Sequence, residues 1–212
     1  MSRSSPGSFT VFHYSGHVCI SSAGGCPSGH TYLWSVDNGF LSEDEFGQTM
    51  RGLQGTAWVD VSGCESAAFD QGISSAQRLF TAATGPHEKG YEMSRWQESV
   101  WTGLLIDQGM LQGKADQNGD GRVSVQEAVR WAQSQAAIMT SNQHPYGSQH
   151  PYAVGGTGEW YLTATSPGAQ QPKPASPSSG GAKPPPAGPA RPPSTPPTTD
   201  PCAGLSIGVL HC

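Results

Sequence analysis

The sequence predicts an α/β domain with a mostly parallel sheet covered by helices, followed by a proline-rich tail. Up to residue 164, short apolar runs rich in β-branched and aromatic residues alternate with longer segments of helical periodicity. Residues 165–201 then contain 13 of the 18 prolines and no aromatic residue. Alternating strands and helices favour a parallel sheet, and a segment so poor in apolar residues cannot bury enough surface to fold.

Each element follows from its own local pattern. The runs predicted as strands are 9–14 (FTVFHY), 57–62 (AWVDVS), 79–84 (LFTAAT) and 159–162 (EWYL). The segments predicted as helices are 42–53, 94–111 and 125–138. Ser94 is expected to cap the second helix, and the pair Ser124 and Glu127 forms a capping box at the start of the third.

The composition divides the chain into three parts. Residues 1–164 are expected to share one hydrophobic core, which makes one domain of ordinary size. Residues 165–201 are expected to be a disordered, partly polyproline linker or stalk. The end, 202–212, is a short segment with a cysteine at each end, and no function is assigned to it.

Charge and hydropathy argue against nucleic-acid binding and against a membrane-spanning helix. The chain has 16 acidic and 11 basic residues, a net charge of −5, and no cluster of Lys or Arg. Nucleic acid is therefore not an expected partner. No apolar run approaches the roughly 20 residues of a membrane-spanning helix, so no membrane span is expected. The N-terminus also lacks the basic start and apolar stretch of a secretory signal.

The five cysteines suggest an oxidising compartment. Sequence proximity pairs Cys19 with Cys26 and Cys202 with Cys212, which leaves Cys64 as a single thiol. Such pairing, together with the proline-rich tail, favours an extracellular or cell-surface location. The alternative is five reduced thiols in a cytosolic protein, because proximity in sequence does not prove pairing.

A candidate catalytic pair follows two of the predicted strands. His17 comes after strand 9–14 and a Ser-Gly turn, and Cys64 comes after strand 57–62 and Gly63. Because parallel strands present their carboxyl ends at one edge of a sheet, both side chains are expected at the same edge. A thiolate attacks a peptide bond once an imidazole has taken its proton. The pair therefore predicts a cysteine peptidase, with His17 and Cys64 47 residues apart in the chain.

The segments around this pair resemble a known family. VFHYSGH resembles the His-bearing strand of caspase-like (clan CD) cysteine peptidases, and VDVSGCESAAF the Cys-bearing strand, with CES closest to legumains. The similarity covers residues 9–163 and is strongest to bacterial caspase-family proteins. It implies a three-layer α/β/α fold and an endopeptidase that acts on a peptide or protein and needs no cofactor. It also implies Cys64 as nucleophile, His17 as general acid/base, and an oxyanion site formed by the backbone amides of Val18 and Cys64.

The chain departs from the family pattern at three places. Val18 occupies a position where family members usually carry Gly, and Ser62 one where they carry Asp or Glu. The candidate walls of the substrate pocket are therefore Ser62, Glu65, Ala82 and Ala83. The family core also begins with two further strands. We expect either an upstream segment or a partner to complete the sheet at the first strand.

Residues 116–127 (DQNGDGRVSVQE) match the twelve-residue EF-hand calcium loop. The oxygen ligands in this pattern are the side chains of Asp116, Asn118, Asp120, Ser124 and Glu127 and the carbonyl of Arg122. A structural Ca²⁺ ion is therefore a possible cofactor. The alternative is an Asp/Asn/Gly turn in which Ser124 and Glu127 only cap the next helix. The tetrapeptide QHPY, present at 143–146 and 149–152, is interpreted as a rigid surface loop.

Two alternatives to a peptidase stay open at this point. The first is a catalytically inactive relative that binds peptides or partner proteins through the same groove, which the residues Val18 and Ser62 favour. The second is a calcium-stabilised structural or cell-surface module on a proline-rich stalk.

Overall fold

The computed structural model describes residues 4–20, 25–94, 96–143 and 145–162 and the backbone of 207–209. The proline-rich segment and residues Cys202 and Cys212 lie outside the described residues. The strands are β1 (Phe9–Ser15), β2 (His17–Ile20), β3 (Thr31–Trp34), β4 (Phe40–Ser42), β5 (Thr56–Ser62), β6 (Arg78–Ala82), β7 (Tyr91–Met93), β8 (Glu98–Ser99), β9 (Tyr152–Val154) and β10 (Ile207–Val209). The helices are α1 (Glu43–Arg51), α2 (Val100–Thr102), which continues as π-helical turns over Gly103–Leu111, and α3 (Val125–Met139). A short 3-10 helix spans Ser66–Phe69.

The central sheet has the strand order β1-β5-β6-β9. The first three strands are parallel, and β9 is antiparallel to β6. The predicted mixed α/β class with a largely parallel sheet is therefore confirmed. Two smaller antiparallel sheets accompany it, with the orders β2-β3-β4 and β10-β7-β8. Among the described strands, β1 lies at one edge of the central sheet.

Strand β5 builds a core on each face of the sheet because its side chains alternate between the faces. Trp58 joins an apolar cluster with residues of α2, the π-helical turns and α3, such as Trp101 and Leu105. Val59 and Val61 join the opposite cluster, to which α1 contributes Phe46 and Met50. The sheet is thus covered by helices on both faces, and β5 is buried along almost its whole length.

Capping residues determine where the helices begin. Ser42 at α1 and Ser124 at α3 both form complete capping boxes, as the sequence predicts for α3. The prediction that the second helix begins after Ser94 is wrong, because helix α2 begins at Val100 and Ser99 caps it. The residues between them form the hairpin of β7 and β8, which the helical pattern of 94–111 does not reveal.

The prediction of a strand at 159–162 is also wrong. The Trp160 N–H donates to Gln126 Oε1 at 2.8 Å, and the Trp160 carbonyl accepts from the Val125 N–H at 2.7 Å. This segment therefore binds the start of α3, and β9 pairs with β6 instead. Among the described residues, no helix is both long and apolar enough to cross a membrane.

Candidate active site

His17 and Cys64 are placed by the pairing of β1 with β5. The two strands are parallel and in register over seven pairs, the last of which is Ser15 with Ser62. The Gly16 N–H donates to the Ser62 carbonyl at 2.9 Å, which extends the pairing beyond the strands. His17 and Cys64 each lie two residues after this last pair. Both residues therefore leave the same edge of the sheet.

Gly63 allows the two strand ends to approach each other closely. A Cβ atom at this position would lie 2.4 Å from the Gly16 carbonyl oxygen and 3.3 Å from Val18 Cγ2. No side chain fits there without moving the backbone. The side chain of Val18 is buried in the apolar cluster that contains Val61, so most of its bulk is taken up by the core.

The residue after Cys64 holds an uncommon backbone conformation. Glu65 has a φ of 55°, in the left-handed region that residues other than Gly rarely adopt. Its N–H donates to the Glu88 carbonyl at 2.7 Å, and its carboxylate lies 3.9 Å from Lys89 Nζ. Backbone conformations of this kind persist where neighbouring contacts enforce them, and they cluster at functional sites.

The His17 side chain is exposed at the first position of β2 and lines a cavity of about 930 Å³. Its ring lies 6.1 Å from the ring of Trp34, the residue paired with it on β3. The Tyr14 hydroxyl lies 2.8 Å from the carbonyl oxygens of both His17 and Trp34. Burial raises the pKa of Tyr14, so this hydroxyl stays a neutral donor that holds the turn.

Cys64 does not line this cavity. Its side chain is 1 % exposed, and its Sγ accepts a hydrogen bond from the Gly90 N–H at 3.3 Å. Cys19 and Cys26 are joined by a disulfide at the wall of the cavity. Cys64 is also disulfide-bonded. The interpretation of Cys64 as the single unpaired thiol is therefore wrong for this structure, because proximity in sequence alone does not determine which cysteines pair.

Of the four candidate pocket residues, only Glu65 lines the cavity. Ala82 and Ala83 are fully buried in the two core clusters. Ser62 is also fully buried, and its Oγ lies 2.6 Å from Ser99 Oγ. The cavity instead gains its polar and aromatic lining from residues that the sequence did not suggest, namely Tyr14, Trp34, Asn38 and Lys89.

A buried glutamine holds the loop between β6 and β7, which carries Gly90, by hydrogen bonds. Gln149 is fully buried, its Nε2 donates to the Ala83 carbonyl at 2.8 Å, and its Oε1 accepts from the Tyr91 N–H at 3.2 Å. Both ends of the loop between β6 and β7 are therefore tied to one side chain. Gln149 opens the second QHPY segment, which the sequence suggested only as a surface loop.

A buried carboxylate lies on β5 just before the site. Asp60 is fully buried, and its Oδ1 accepts from Thr81 Oγ1 at 2.5 Å and from Trp101 Nε1 at 2.8 Å. Its Oδ2 lies 2.8 Å from His13 Nδ1. The only signal for this network in the sequence is one acidic residue inside the apolar run AWVDVS.

The loop 116–127 forms the turns that an EF-hand loop requires. Asp116 Oδ2 accepts from the Gly121 N–H at 2.9 Å, and Asp120 Oδ1 accepts from the Arg122 N–H at 2.8 Å. The guanidinium of Arg122 lies over Tyr161, outside the loop. The buried Glu127 carboxylate caps the start of α3. Among the described residues, no group of three or more His, Cys, Asp or Glu side chains is placed to hold a metal ion.

Comparison with known proteins does not assign this chain to a family. No protein-family model matches the chain, and no curated protein matches it significantly. The chemistry of the site therefore rests on its residues alone. An exposed imidazole and a cysteine follow adjacent parallel strands by the same number of residues, and an N–H is aimed at the sulfur. This combination of residue types suits thiolate chemistry once the sulfur is reduced.

Proposed function

We propose that this chain is a cysteine peptidase domain with a three-layer, caspase-like α/β/α fold, in which reduced Cys64 and His17 form the catalytic dyad. The observation that supports this most strongly is the equal two-residue offset of His17 and Cys64 from the paired residues Ser15 and Ser62. The resemblance of the flanking segments to caspase-like peptidases points in the same direction.

In this proposal the imidazole of His17 takes the proton of the Cys64 thiol, and the thiolate attacks the carbonyl carbon of the peptide bond. The protonated imidazole then gives the proton to the leaving amine. The developing oxyanion is stabilised by the backbone N–H groups of Val18 and Cys64. The Gly90 N–H aimed at Sγ stabilises a thiolate more than a neutral thiol. The cavity beside His17 accommodates a side chain of the peptide or protein substrate.

The test uses the full chain after reduction with a dithiol. A panel of peptidyl acyloxymethyl ketones with different P1 residues is expected to label wild type and not Cys64→Ala. His17→Ala is expected to slow peptide cleavage by roughly 10²- to 10⁴-fold, the usual contribution of general acid–base catalysis. The matched control is His30→Ala, since His30 is also partly exposed but lies outside the cavity. Labelling that persists in Cys64→Ala contradicts the proposal.

A second candidate is a peptide-binding domain without catalytic activity. The burial and disulfide bonding of Cys64 favour it, because both withhold the sulfur from a substrate. In this case the reduced protein binds peptides, as measured by fluorescence anisotropy, with equal affinity in wild type and Cys64→Ala, and it shows no turnover. Turnover that depends on Cys64 and His17 rules this candidate out.

We further propose that Ca²⁺ stabilises loop 116–127 and takes no part in catalysis. The hydrogen bond from the Gly121 N–H to Asp116 supports this, since it forms the sharp turn that brings oxygen ligands together. Asp116, Asn118, Asp120, the Arg122 carbonyl, Ser124 and Glu127 would hold the ion.

At a calcium concentration 100 times the Kd, binding to the native state alone adds about 2.7 kcal/mol of stability. The melting temperature is therefore expected to be higher in calcium than in chelator. Glu127→Gln keeps a side chain able to cap the helix but loses the bidentate carboxylate, so it should remove the calcium effect without unfolding α3. Equal melting temperatures in calcium and in chelator for wild type contradict calcium binding.

A further inference from the structure

The loop between β6 and β7, residues 83–90, contacts the candidate nucleophile through its backbone. The Gly90 N–H donates to Cys64 Sγ at 3.3 Å. The Glu65 N–H donates to the Glu88 carbonyl at 2.7 Å. Cys64 and the residue that follows it are therefore both bound to this loop.

The direction of the Gly90 N–H depends on the peptide groups around it. Glycine has no Cβ atom, so its two backbone dihedrals turn more freely than those of other residues. On the N-terminal side of Gly90, the Glu65 N–H holds the Glu88 carbonyl. On the C-terminal side, the Tyr91 N–H donates to Gln149 Oε1 at 3.2 Å. Gln149 is thus the side chain that fixes the peptide group directly after the donor.

Gln149 is itself held in the core by both its side chain and its backbone. It is fully buried, and its Nε2 donates to the Ala83 carbonyl at 2.8 Å. Its backbone N–H donates to Thr140 Oγ1 at 2.8 Å. The same hydroxyl donates to the Ala136 carbonyl at 2.7 Å, in the last turn of α3. A chain of hydrogen bonds therefore runs from the end of α3 through Gln149 to the loop that contacts the sulfur.

We propose that Gln149 is a positioning residue for the candidate nucleophile: it keeps the Gly90 N–H aimed at Cys64 Sγ, so that this N–H stabilises the thiolate once the disulfide of Cys64 is reduced. Its importance for catalysis rests on the proposed peptidase function, whereas its effect on the thiolate does not. Gln149 acts through Tyr91 and Gly90, and it is not among the residues that line the cavity.

The burial of the sulfur explains why such a donor matters. Cys64 is 1 % exposed, and burial disfavours the charged form of a thiol because water is withheld from it. A hydrogen bond to a charged acceptor is roughly twice as strong as one to a neutral acceptor. The Gly90 N–H therefore favours the thiolate over the thiol, provided that its direction is fixed.

The test follows the ionisation of Cys64 by NMR in the full chain, isotope-labelled at the cysteine Cβ atoms and reduced with a dithiol. The Cys64 resonance, assigned by its loss in Cys64→Ala, gives the pH at the midpoint of the change from thiol to thiolate. No reagent has to reach the buried sulfur. Gln149→Met replaces the amide that accepts from Tyr91 by a thioether, a weak acceptor. The midpoint is expected to rise by about one pH unit. An unchanged midpoint in Gln149→Met overturns the proposal.

A second variant covers the case in which Gln149→Met does not fold. Gln149→Asn keeps an amide inside the core but is one methylene shorter, so it cannot contact the Ala83 carbonyl and the Tyr91 N–H together. Its midpoint is expected to move in the same direction. A wild-type midpoint in Gln149→Asn, with the Tyr91 amide proton exchanging faster than in wild type, also overturns the proposal.

Two controls separate positioning from a general loss of stability. Gln143→Met makes the same change at the corresponding residue of the first QHPY segment, whose backbone carbonyl accepts from the Gly147 N–H. Ser42→Ala removes the capping box of α1. Both variants are expected to keep the wild-type midpoint. A rise of the same size in either control shows that Gln149 has no specific role, and it overturns the proposal.

A parallel measurement with a peptidyl acyloxymethyl ketone separates the positioning role from the function. If Gln149→Met moves the midpoint and the ketone does not label reduced wild type, the positioning role stands and the proposed peptidase function fails. If the ketone labels Cys64 of reduced wild type and the midpoint is unchanged in Gln149→Met, the peptidase function stands and the positioning role fails. If both stand, labelling of Gln149→Met below the midpoint should be about three- to fourfold slower, because the fraction of thiolate falls about tenfold while each thiolate becomes more nucleophilic.

Discussion

Replacing Asp60 tests whether its buried hydrogen-bond network holds the two site strands together. The Asp60 carboxylate is fully buried on β5 and accepts from Trp101, Thr81 and His13. Asp60→Ala leaves the Trp101 indole N–H without its acceptor and opens a cavity. Removing one member of a buried charged network costs about 3–5 kcal/mol, so we expect a loss of that size in the free energy of unfolding.

The matched control is Asp60→Asn. Its amide oxygen still accepts from Trp101 and Thr81, and its NH₂ group can donate to the Nδ1 of a neutral His13. We expect the free energy of unfolding to fall by about 1 kcal/mol, which is the usual contribution of one neutral hydrogen bond. Urea titration at constant pH gives both values. For a domain of this size, the larger loss corresponds to a fall of roughly 10 °C in melting temperature. Equal stability of the Ala and Asn variants refutes the reasoning.

The same network predicts a pH dependence. The hydrogen bond to Asp60 raises the pKa of His13 above its ordinary value; burial opposes this, and the charges of Asp60 and Glu98 add to it. Protonated His13 therefore stabilises the folded state fully below the unfolded pKa of about 6.5, and this contribution is lost as pH rises through the higher folded pKa. The stability of Asp60→Asn is expected to vary less over this range. An unchanged pH profile in that variant contradicts the assignment.

Three further substitutions test other parts of the structure, with urea unfolding as the assay. Gly63→Ala is expected to lower the free energy of unfolding by about 2–4 kcal/mol, since its Cβ would lie 2.4 Å from the Gly16 carbonyl oxygen. The control Gly47→Ala within α1 should raise it by about 0.5–1 kcal/mol. Unchanged stability of Gly63→Ala would contradict the close approach of the two strand ends. Gln149→Ala removes the side-chain partner of the Ala83 carbonyl and the Tyr91 N–H, and it should lower the free energy of unfolding by about 1–3 kcal/mol. The control His150→Ala changes an exposed residue and should lower it by less than about 0.5 kcal/mol. Equal losses would contradict the role of Gln149 in holding the loop between β6 and β7. Ser42→Ala removes the capping box of α1 and should cost about 1 kcal/mol, with no loss expected for the exposed Ser134→Ala.

Local sequence patterns were sufficient for the elements whose structure depends on their own residues. The runs 9–14, 57–62 and 79–84 correspond to β1, β5 and β6, because apolar β-branched residues suit strands buried in a sheet. The capping box at Ser124 correctly fixed the start of α3. The equal offset of His17 and Cys64 from paired residues also agrees with the expectation that both lie at one sheet edge.

Features that depend on distant pairing could not be predicted in this way. The residues EWYL have strand-like composition, but they bind the start of α3 while Tyr152–Val154 occupies the edge of the sheet. Ser94 and Ser99 are equally good caps, and only the pairing of β7 with β8 decides between them. The pairing of β10 with β7 likewise joins segments that are far apart in sequence.

The pairing of β1 with β5 sets the relative positions of His17 and Cys64 along the sheet edge. The position of His17 relative to Cys64 depends on two dipeptides, Gly16 with His17 and Gly63 with Cys64, each measured from the last strand pair. Helix α1, which lies between the two strands in the chain, contributes to neither of these dipeptides. One residue inserted next to Gly63 would change the offset at once. The spacing of the two side chains is thus a property of two short turns and one strand pair.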